Sequence, residues 1–239
     1  MKAFVVGDIH GHWDSLFQAA RTAYVSECEV VFQVGDLGFA WPGGGLPATT
    51  PAVPVYFCDG NHENHRVLAE MPRRENGVAR AYPGIYHVAR GTILEFGGHK
   101  VLFAGGAFSI DRRYREEGVT WFEDETISQA DADRMLSHPR NAVDMVVSHD
   151  CPFGVNVAEF NYPGAASTRD RLEQVWQRYK PKTWFFGHYH RFYHRDAPAS
   201  GTTFFCLPCP HDDRAVGIVF DLSANEVDDV VPIWPDDFV

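Results

Sequence analysis

The stretch Ala3-Phe4-Val5-Val6-Gly7-Asp8-Ile9-His10, which leads into residues 13–24, sets the pattern of the chain. Its four consecutive apolar residues predict a short strand that is buried on both faces. Apolar residues at helical spacing in residues 13–24 predict that a helix follows at once. A strand followed by a helix is the repeating unit of α/β proteins. Two polar residues that can bind a metal ion, Asp8 and His10, stand between this strand and this helix.

The same unit recurs along the chain. Short apolar runs rich in Val and Phe predict further buried strands at residues 30–34, 53–57, 143–147 and 183–186. Helical spacing of apolar residues predicts helices at residues 62–71, 127–136 and 168–179, and Ser128 is a candidate N-cap of the second of these. This repetition indicates an α/β fold.

Further strand signals surround these units. Residues 92–96 and 100–103 flank Gly97-Gly98-His99, which is a hairpin pattern, and residues 202–207 and 216–222 predict a second strand pair. A sheet of so many strands tends to split into two packed sheets. We therefore predict an α/β fold with a central two-sheet β-sandwich flanked by helices. A chain of 239 residues is short enough to form it as a single domain, residues 1–239.

The composition excludes some classes of function. The 21 Lys and Arg residues against 32 Asp and Glu residues give a formal net charge of -11, which argues against general nucleic-acid binding. No apolar segment is long enough to span a membrane. Asp8 interrupts the apolar run in which a signal peptide would continue, so we expect a cytoplasmic protein without membrane association.

Five cysteines, an odd number scattered over the chain, predict reduced thiols and not a disulfide framework. Cys206-Leu207-Pro208-Cys209, with His211 close behind, resembles half of a zinc or redox site. No second cysteine pair follows, so buried thiols at the end of a strand are the preferred interpretation.

Potential metal ligands follow the predicted strands at the point where each strand ends. They are Asp8 and His10, Asp36, Asn61 and His62, His149, and His188 and His190. In open α/β sheets the carboxyl ends of the strands form the ligand crevice, so these side chains should converge. The mixture of oxygen and imidazole ligands suits Mn, Fe, Zn or similar ions, and it is too rich in nitrogen for Ca or Mg. The set exceeds the needs of one ion but suits two ions that share a carboxylate, an arrangement that supports displacement at phosphorus.

Five motifs in order resemble those of the calcineurin-like metallophosphoesterases, whose pattern is D-x-H, G-D, G-N-H-[DE], a later His, and G-H-x-H. The matching residues are Asp8-Ile9-His10, Gly35-Asp36, Gly60-Asn61-His62-Glu63, Ser148-His149-Asp150 and Gly187-His188-Tyr189-His190. Singly these motifs are weak or moderate signals, but all five in order, each after a predicted strand, form a strong one.

The resemblance implies two metal-ion sites that share Asp36 as a bridge. The residues that it assigns to the first ion are Asp8, His10 and His190. Those that it assigns to the second ion are Asn61, His149 and His188. It also implies attack on the phosphate ester by a hydroxide produced at the ions, with His62 as the proton donor for the leaving group.

The second motif departs from one branch of this family. Phosphoprotein phosphatases extend it to G-D-x-x-D-R-G, whereas this chain reads Gly35-Asp36-Leu37-Gly38-Phe39-Ala40-Trp41 and lacks the second aspartate and the arginine. The segment Gly105-Gly106-Ala107-Phe108-Ser109-Ile110-Asp111-Arg112-Arg113 is instead similar to a motif of a bacterial and phage branch. The resemblance therefore favours that branch.

Substrate contacts are predicted at Arg112, Arg191 and His12. Arg112, with its neighbours Arg113 and Arg115, could bind a phosphate or form a solvated face. Arg191 directly follows the last predicted ligand, and His12 could face the cleft or simply begin a helix. We expect a small phosphate-ester substrate, with phosphodiesters of small or nucleotide-like molecules first. The alternatives are a phosphomonoesterase, which could act on phosphoproteins, and a non-catalytic scaffold, which would be expected to have lost ligands.

Overall fold

The computed structural model describes residues 1–45, 47–157, 162–210 and 215–233. Within these residues the strands form two mixed sheets that pack face to face, with helices on the outer faces. This arrangement confirms the predicted α/β sandwich. In the same described part of the chain, no helix combines the length and the apolar character needed to cross a membrane.

The strands in chain order are β1 (Lys2–Val6), β2 (Val30–Gln33), β3 (Val55–Phe57), β4 (Val78–Tyr82), β5 (Ile85–Val88), β6 (Thr92–Phe96), β7 (His99–Ala104), β8 (Met145–Ser148), β9 (Thr183–Phe186), β10 (Tyr193–Ala197), β11 (Thr202–Cys206), β12 (Val216–Asp221) and β13 (Glu226–Pro232). The α-helices are α1 (Trp13–Val25), α2 (His65–Glu70), α3 (Gln129–Leu136) and α4 (Ala166–Tyr179). Short 3₁₀ turns occupy Arg112–Tyr114, Glu123–Glu125 and Pro163–Ala165.

Each sheet has a parallel centre and antiparallel edges. The first sheet has the order β13-β12-β1-β2-β3-β5-β4, and β1, β2, β3 and β5 run parallel. The second has the order β10-β11-β9-β8-β7-β6, and β7, β8, β9 and β11 run parallel. Parallel strands end at the same edge of their sheet, so the loops that follow them are brought together.

The core is built in three layers because side chains alternate along each strand. In β1, Ala3 and Val5 belong to the cluster between the two sheets. Phe4 and Val6 face the other way and pack with residues of α1 such as Leu16. On the opposite side of the molecule, α3 and α4 cover the outer face of the second sheet. Burial on both faces explains why the central strands read as unbroken apolar runs.

One predicted helix begins later than the sequence pattern indicated. Residues 62–71 were expected to be helical, but α2 begins at His65. The side chain of Asn64 accepts a hydrogen bond from the backbone N–H of Val67 at 3.2 Å, which caps the helix. The residues before Asn64 are therefore free to form a loop. At α3 the predicted cap is confirmed, because Ser128 accepts a hydrogen bond from the N–H of Asp131.

The expected pairing of residues 202–207 with 216–222 is wrong. β11 lies beside β9 in the second sheet, whereas β12 lies beside β1 in the first. Both segments are buried apolar strands, and such strands carry no signal for which of two sheets they join. The chain crosses between the sheets in the residues that separate them.

Candidate metal centre

The predicted ligands converge at one edge of the sandwich because they follow strands that run parallel. Both sheets contribute to this cluster, from the loops after β1, β2, β3, β8 and β9. The side chains that these loops bring together are Asp8, His10, Asp36, Asn61, His62, His149, His188 and His190. The sequence interpretation of strand ends is therefore reproduced in three dimensions.

Asp36 lies in the middle of the cluster and faces two groups of ligands. Its Oδ1 is 3.2 Å from His149 Nε2, which is also 3.2 Å from Asn61 Oδ1. Its Oδ2 is 3.7 Å from His10 Nε2 and 3.9 Å from His62 Nε2. A carboxylate that presents one oxygen to each group could bind one ion on either side.

The first group surrounds Asp8. His190 Nε2 lies 3.1 Å from Asp8 Oδ2 and 3.1 Å from His10 Nε2. The thiol of Cys209 joins them, and the four ligand atoms all lie within 4.8 Å of one another. Cys209 was not among the predicted ligands, because no second cysteine pair follows Cys206 and Cys209 in the sequence and a buried thiol was therefore the preferred interpretation.

Hydrogen bonds outside the cluster orient the second group. His149 Nδ1 lies 2.9 Å from the carbonyl oxygen of Val34, which directs Nε2 toward Asp36 and Asn61. The Asn61 amide donates to Ser109 Oγ at 3.2 Å, and Ser109 in turn donates to Glu125. The amide oxygen of Asn61 is thus left to face the cluster.

His188 is held through its backbone. Its N–H lies 3.2 and 3.1 Å from the two carboxylate oxygens of Asp8, and its ring packs edge-on against His149 with centroids 5.1 Å apart. The ring also lines the cleft described below.

Several predicted ligands have a strained backbone. His10, Asp36, His188 and His190 adopt φ values of 49°, 55°, 69° and 50°. Residues other than glycine avoid this left-handed region, at a cost of roughly 1–3 kcal/mol each where strain is held by the surrounding structure. The concentration of such residues in one cluster points to a functional site.

Two motif glycines are required by the close approach of the carboxylates. A Cβ atom on Gly60 would lie 2.1 Å from Asp36 Oδ1, and one on Gly187 would lie 2.1 Å from Asp8 Oδ1. Any side chain at these two positions would displace a buried carboxylate. The glycines of G-N-H and G-H-x-H therefore have a steric explanation in this fold.

The loop after β3 alternates between the cluster and the protein interior. Asn61 and His62 face the cluster, whereas the Glu63 carboxylate accepts hydrogen bonds from the N–H groups of Leu37 at 2.6 Å and Gly60 at 2.8 Å. Asp59 binds the buried guanidinium of Arg90, with Oδ2 2.8 Å from Nε. Sequence analysis assigned no role to Asp59 or Arg90, because their pairing is formed only by the tertiary structure.

Electrostatics in the cluster are dominated by the buried carboxylates. Burial opposes ionisation of Asp36, but His149 and His62 outweigh it and hold the pKa of Asp36 well below its ordinary value. Burial by itself would lower the pKa of His149, but the charge of Asp36 outweighs burial and raises this pKa to about 10. Burial lowers the pKa of His62 to about 4, opposed by Asp36 and assisted by the charge of Arg115. His62 is therefore a neutral imidazole near pH 7.

The donor set fits the two transition-metal ions that the sequence motifs imply. Asp8 and Asp36 are buried, and their polar partners are imidazole rings and backbone N–H groups. Neither carboxylate is paired with a Lys or Arg side chain in the described residues. Buried charges require compensation, and metal ions provide it in a site of mixed oxygen and nitrogen donors.

A cleft of about 510 Å³ opens over the cluster. The residues that line it are Asp36, Asn61, His62, Ile110, Asp111, Arg115, Tyr162, His188, Tyr189 and His190. Ile110 and Tyr162 are exposed apolar side chains in its wall. A second cavity, of about 490 Å³, adjoins it and shares Ile110 and Arg115.

The predicted substrate contacts lie at different distances from this cleft. Arg112 lines only the adjoining cavity, where its guanidinium stacks on Trp121 with 3.7 Å to the ring centroid. Arg191 donates a hydrogen bond to the carbonyl of Val157 at 3.3 Å. His12 occupies the N-cap position of α1. The roles of these three residues in substrate binding stay predictions. His211, which follows the Cys206 and Cys209 pair in the sequence, lies outside the described residues.

The fold and the donor set together define a metal-dependent phosphoesterase. A family model described as calcineurin-like phosphoesterase matches residues 1–192, which is most of the chain. The protein therefore belongs to the calcineurin-like phosphoesterase family, and the resemblance in its motifs is confirmed. Beyond residue 192, β12 extends the first sheet by pairing with β1, and β13 pairs with β12.

Solved structures show the same fold at low sequence identity. The protein TT1561 of Thermus thermophilus is 12% identical, with a TM-score of 0.62 over 98% of this chain and 99% of that one. A Staphylococcus aureus protein provisionally described as a 5′-nucleotidase is 13% identical, with a TM-score of 0.54 over 100% of this chain and 55% of that one. GAP50 of Plasmodium, an anchor in the inner membrane complex, is 9% identical, with a TM-score of 0.50 over 98% and 88% of the two chains. No curated protein matches the chain significantly.

Proposed function

We propose that this protein hydrolyses phosphodiester bonds in small or nucleotide-like substrates. The observation that carries the proposal is the buried donor cluster around Asp36 at the base of an open cleft. A cleft of about 510 Å³ has the size of a small-molecule site. Ile110 and Tyr162 in its wall offer apolar surface to the organic part of an ester.

The chain's own residues would hold two ions of Mn, Fe, Zn or a similar metal. Asp8, His10 and His190 are the ligands proposed for the first ion. Asn61, His149 and His188 are those proposed for the second. Asp36 is proposed to bind both. Bound divalent ions supply positive charge to the phosphate and acidify a coordinated water near neutral pH.

His62 is proposed as the residue that supplies a proton to the leaving-group oxygen. Its Nε2 lies 3.9 Å from Asp36 Oδ2, so the ring stands beside the position of the proposed bridge. The negative charge of a bound phosphate favours the imidazolium form of His62. The imidazolium can transfer a proton from a ring N–H to the oxygen atom that gains charge as the ester bond breaks, and the ring then returns to its neutral form. A general acid of this kind contributes about 10²- to 10⁴-fold when the leaving group is poor.

The test compares His62→Ala with wild type on two diesters, one with an alkyl and one with a nitrophenyl leaving group. Loss of proton donation should damage hydrolysis of the alkyl ester by about 10²- to 10⁴-fold and that of the nitrophenyl ester much less. His194→Ala, at an exposed position on β10, is the matched control. Equal losses on both esters would make His62 a binding group, and loss of a metal ion would show that it is a ligand.

The substrate class is tested with metal-loaded protein and a panel of cyclic nucleotides, phosphomonoesters, phosphopeptides and oligonucleotides. The proposal expects the highest kcat/KM on a small diester. A higher value on a monoester or phosphopeptide would replace it with a phosphomonoesterase. Absence of turnover on the whole panel would favour the scaffold alternative, in which the fold serves binding alone.

A further inference from the structure

The cleft over the metal centre contains one cationic side chain. Among the described residues that line it, Arg115 is the only Lys or Arg. Its side chain is 6% exposed, which is unusual for arginine and requires that the guanidinium be paired. A buried cation in a chain with a net charge of -11 calls for an explanation.

The guanidinium of Arg115 is held rigidly by the protein. Asp111 binds it side-on, with Oδ2 2.9 Å from Nε and Oδ1 2.8 Å from Nη2. On the other side, Nη1 donates to the carbonyl of Asn61 at 3.1 Å and lies 3.5 Å from Glu125 Oε1. These partners fix the plane of the group before any ligand arrives, so binding would lose little side-chain entropy.

The remaining donor direction of Arg115 points at His62, which lines the cleft beside it. Nη2 lies 2.5 Å from His62 Nε2, and this imidazole lies in turn 3.9 Å from Asp36 Oδ2. The other hydrogen-bond and ion-pair partners of the guanidinium are protein oxygen atoms, and its Cζ lies 5.6 Å from the centroid of the Trp41 ring. His62 is its only nitrogen partner in the described residues, and an imidazole nitrogen accepts a hydrogen bond more weakly than a charged phosphate oxygen does.

We propose that Arg115 binds a non-bridging oxygen of the substrate phosphate through Nη2, with Asp111 as the positioning residue. This inference rests on the proposed function, because it concerns the phosphate of the same ester. The phosphate oxygen replaces His62 as the acceptor of Nη2, which leaves the ring free to face the leaving group. Arg115 then provides a contact between a protein side chain and the phosphate that does not involve the metal ions.

The experiment measures the binding of inorganic phosphate to the metal-loaded protein by isothermal titration calorimetry at fixed salt. Loss of a hydrogen bond to a charged group predicts that Arg115→Ala weakens phosphate binding roughly 10- to 100-fold. Arg115→Lys keeps the charge but not the planar fork and should lose roughly 3- to 10-fold. Asp111→Asn should weaken binding while leaving the metal content unchanged.

Arg113→Ala is the matched control, since it removes the same charge from the same segment. Arg113 lies over the Tyr114 ring and does not line the cleft over the metal centre. Its substitution should change phosphate affinity by less than about twofold, as expected for a screened charge. An equal loss in Arg113→Ala and Arg115→Ala would overturn the proposal, because the effect would then be long-range charge.

Metal analysis and thermal unfolding of each variant separate binding from folding. Wild-type phosphate affinity in Arg115→Ala overturns the proposal, and so does loss of metal in both Arg115 variants, which would make Arg115 a structural residue. Because phosphate binding is measured without turnover, it decides the role of Arg115 even if wild type hydrolyses no ester. Failure of the proposed function is seen separately, on the ester panel.

Discussion

Replacing Gly187 by alanine should disrupt the proposed first metal site without replacing any of its proposed ligands. The added Cβ would lie 2.1 Å from Asp8 Oδ1 and 2.9 Å from a methyl carbon of Val34. Normal contact requires more than about 3 Å, so the carboxylate must move by about 1 Å or the turn must open. Gly187 does not have a left-handed φ, so alanine should destabilise this turn by the steric clash and not by backbone strain.

The cost can be assembled from two contributions. Overpacking of a buried site costs typically about 1–3 kcal/mol. Movement of Asp8 also breaks its hydrogen bonds with the N–H of His188 at 3.1 and 3.2 Å, and a bond to a charged group is worth about 1.5–3 kcal/mol. We therefore expect Gly187→Ala to lower the free energy of unfolding of metal-free protein by about 3–5 kcal/mol.

The assay has two readouts, namely urea unfolding of metal-free protein and the number of ions bound after reconstitution. Gly45→Ala is the control, because a Cβ there meets no atom within 4 Å. It should bind metal like wild type and change stability by less than about 1 kcal/mol. Wild-type metal binding in Gly187→Ala would refute the reasoning, since Asp8 could not then lie where a Cβ must go.

Three further predictions concern the metal centre and its support. Asp36→Asn should release more metal than Asn61→Ala, because Asp36 faces both ligand groups; the reverse order in metal analysis would contradict a bridge. Asp59→Asn should lower the free energy of unfolding by about 3–5 kcal/mol near pH 7. Despite burial, the arginine bound to Asp59 holds its pKa well below the ordinary value, so in urea unfolding the difference from wild type should shrink below about pH 4. The Cys209 thiol lies within 4.8 Å of the ligand atoms of Asp8, His10 and His190, so we predict that it adds a sulfur ligand to the first ion. Cys209→Ser should then remove a thiolate-to-cobalt absorption band from cobalt-loaded protein, whereas Cys206→Ser should retain it.

The sequence predicts those parts of the fold whose burial produces a run of apolar residues. Central strands such as β1 and β9 are apolar after their first residue because both faces are covered. β10 and β13 lie at sheet edges, where most of their residues are exposed and charged residues interrupt the apolar ones, so no long apolar run predicts them. The sheet that each strand joins depends on contacts distant in sequence, which explains the wrong pairing of β11 with β12.

The residues of the candidate site also include some that sequence patterns predict and some that they do not. Predicted ligands stand within a few residues of a strand end, so short motifs reveal them. Arg115 and Cys209 reach the centre from segments without regular structure, and their position depends on partners such as Asp111 that no spacing rule connects to a strand. Sequence analysis could name Arg115 only as one of three neighbouring arginines with an open role.

The motif Gly60-Asn61-His62-Glu63 shows why the ligand motifs are short. Gly60 leaves space for the carboxylate of Asp36, the next two side chains face the cluster, and Glu63 fixes the loop by accepting from two backbone N–H groups. Four consecutive residues thus supply the space for a carboxylate, the side chains that face the cluster and the hydrogen bonds that fix the loop. The loop begins directly after a strand, so these functions must come from neighbouring residues. A substitution at a supporting position should therefore displace the ligands of the candidate metal centre, and the steric clash predicted for Gly187 is one such case.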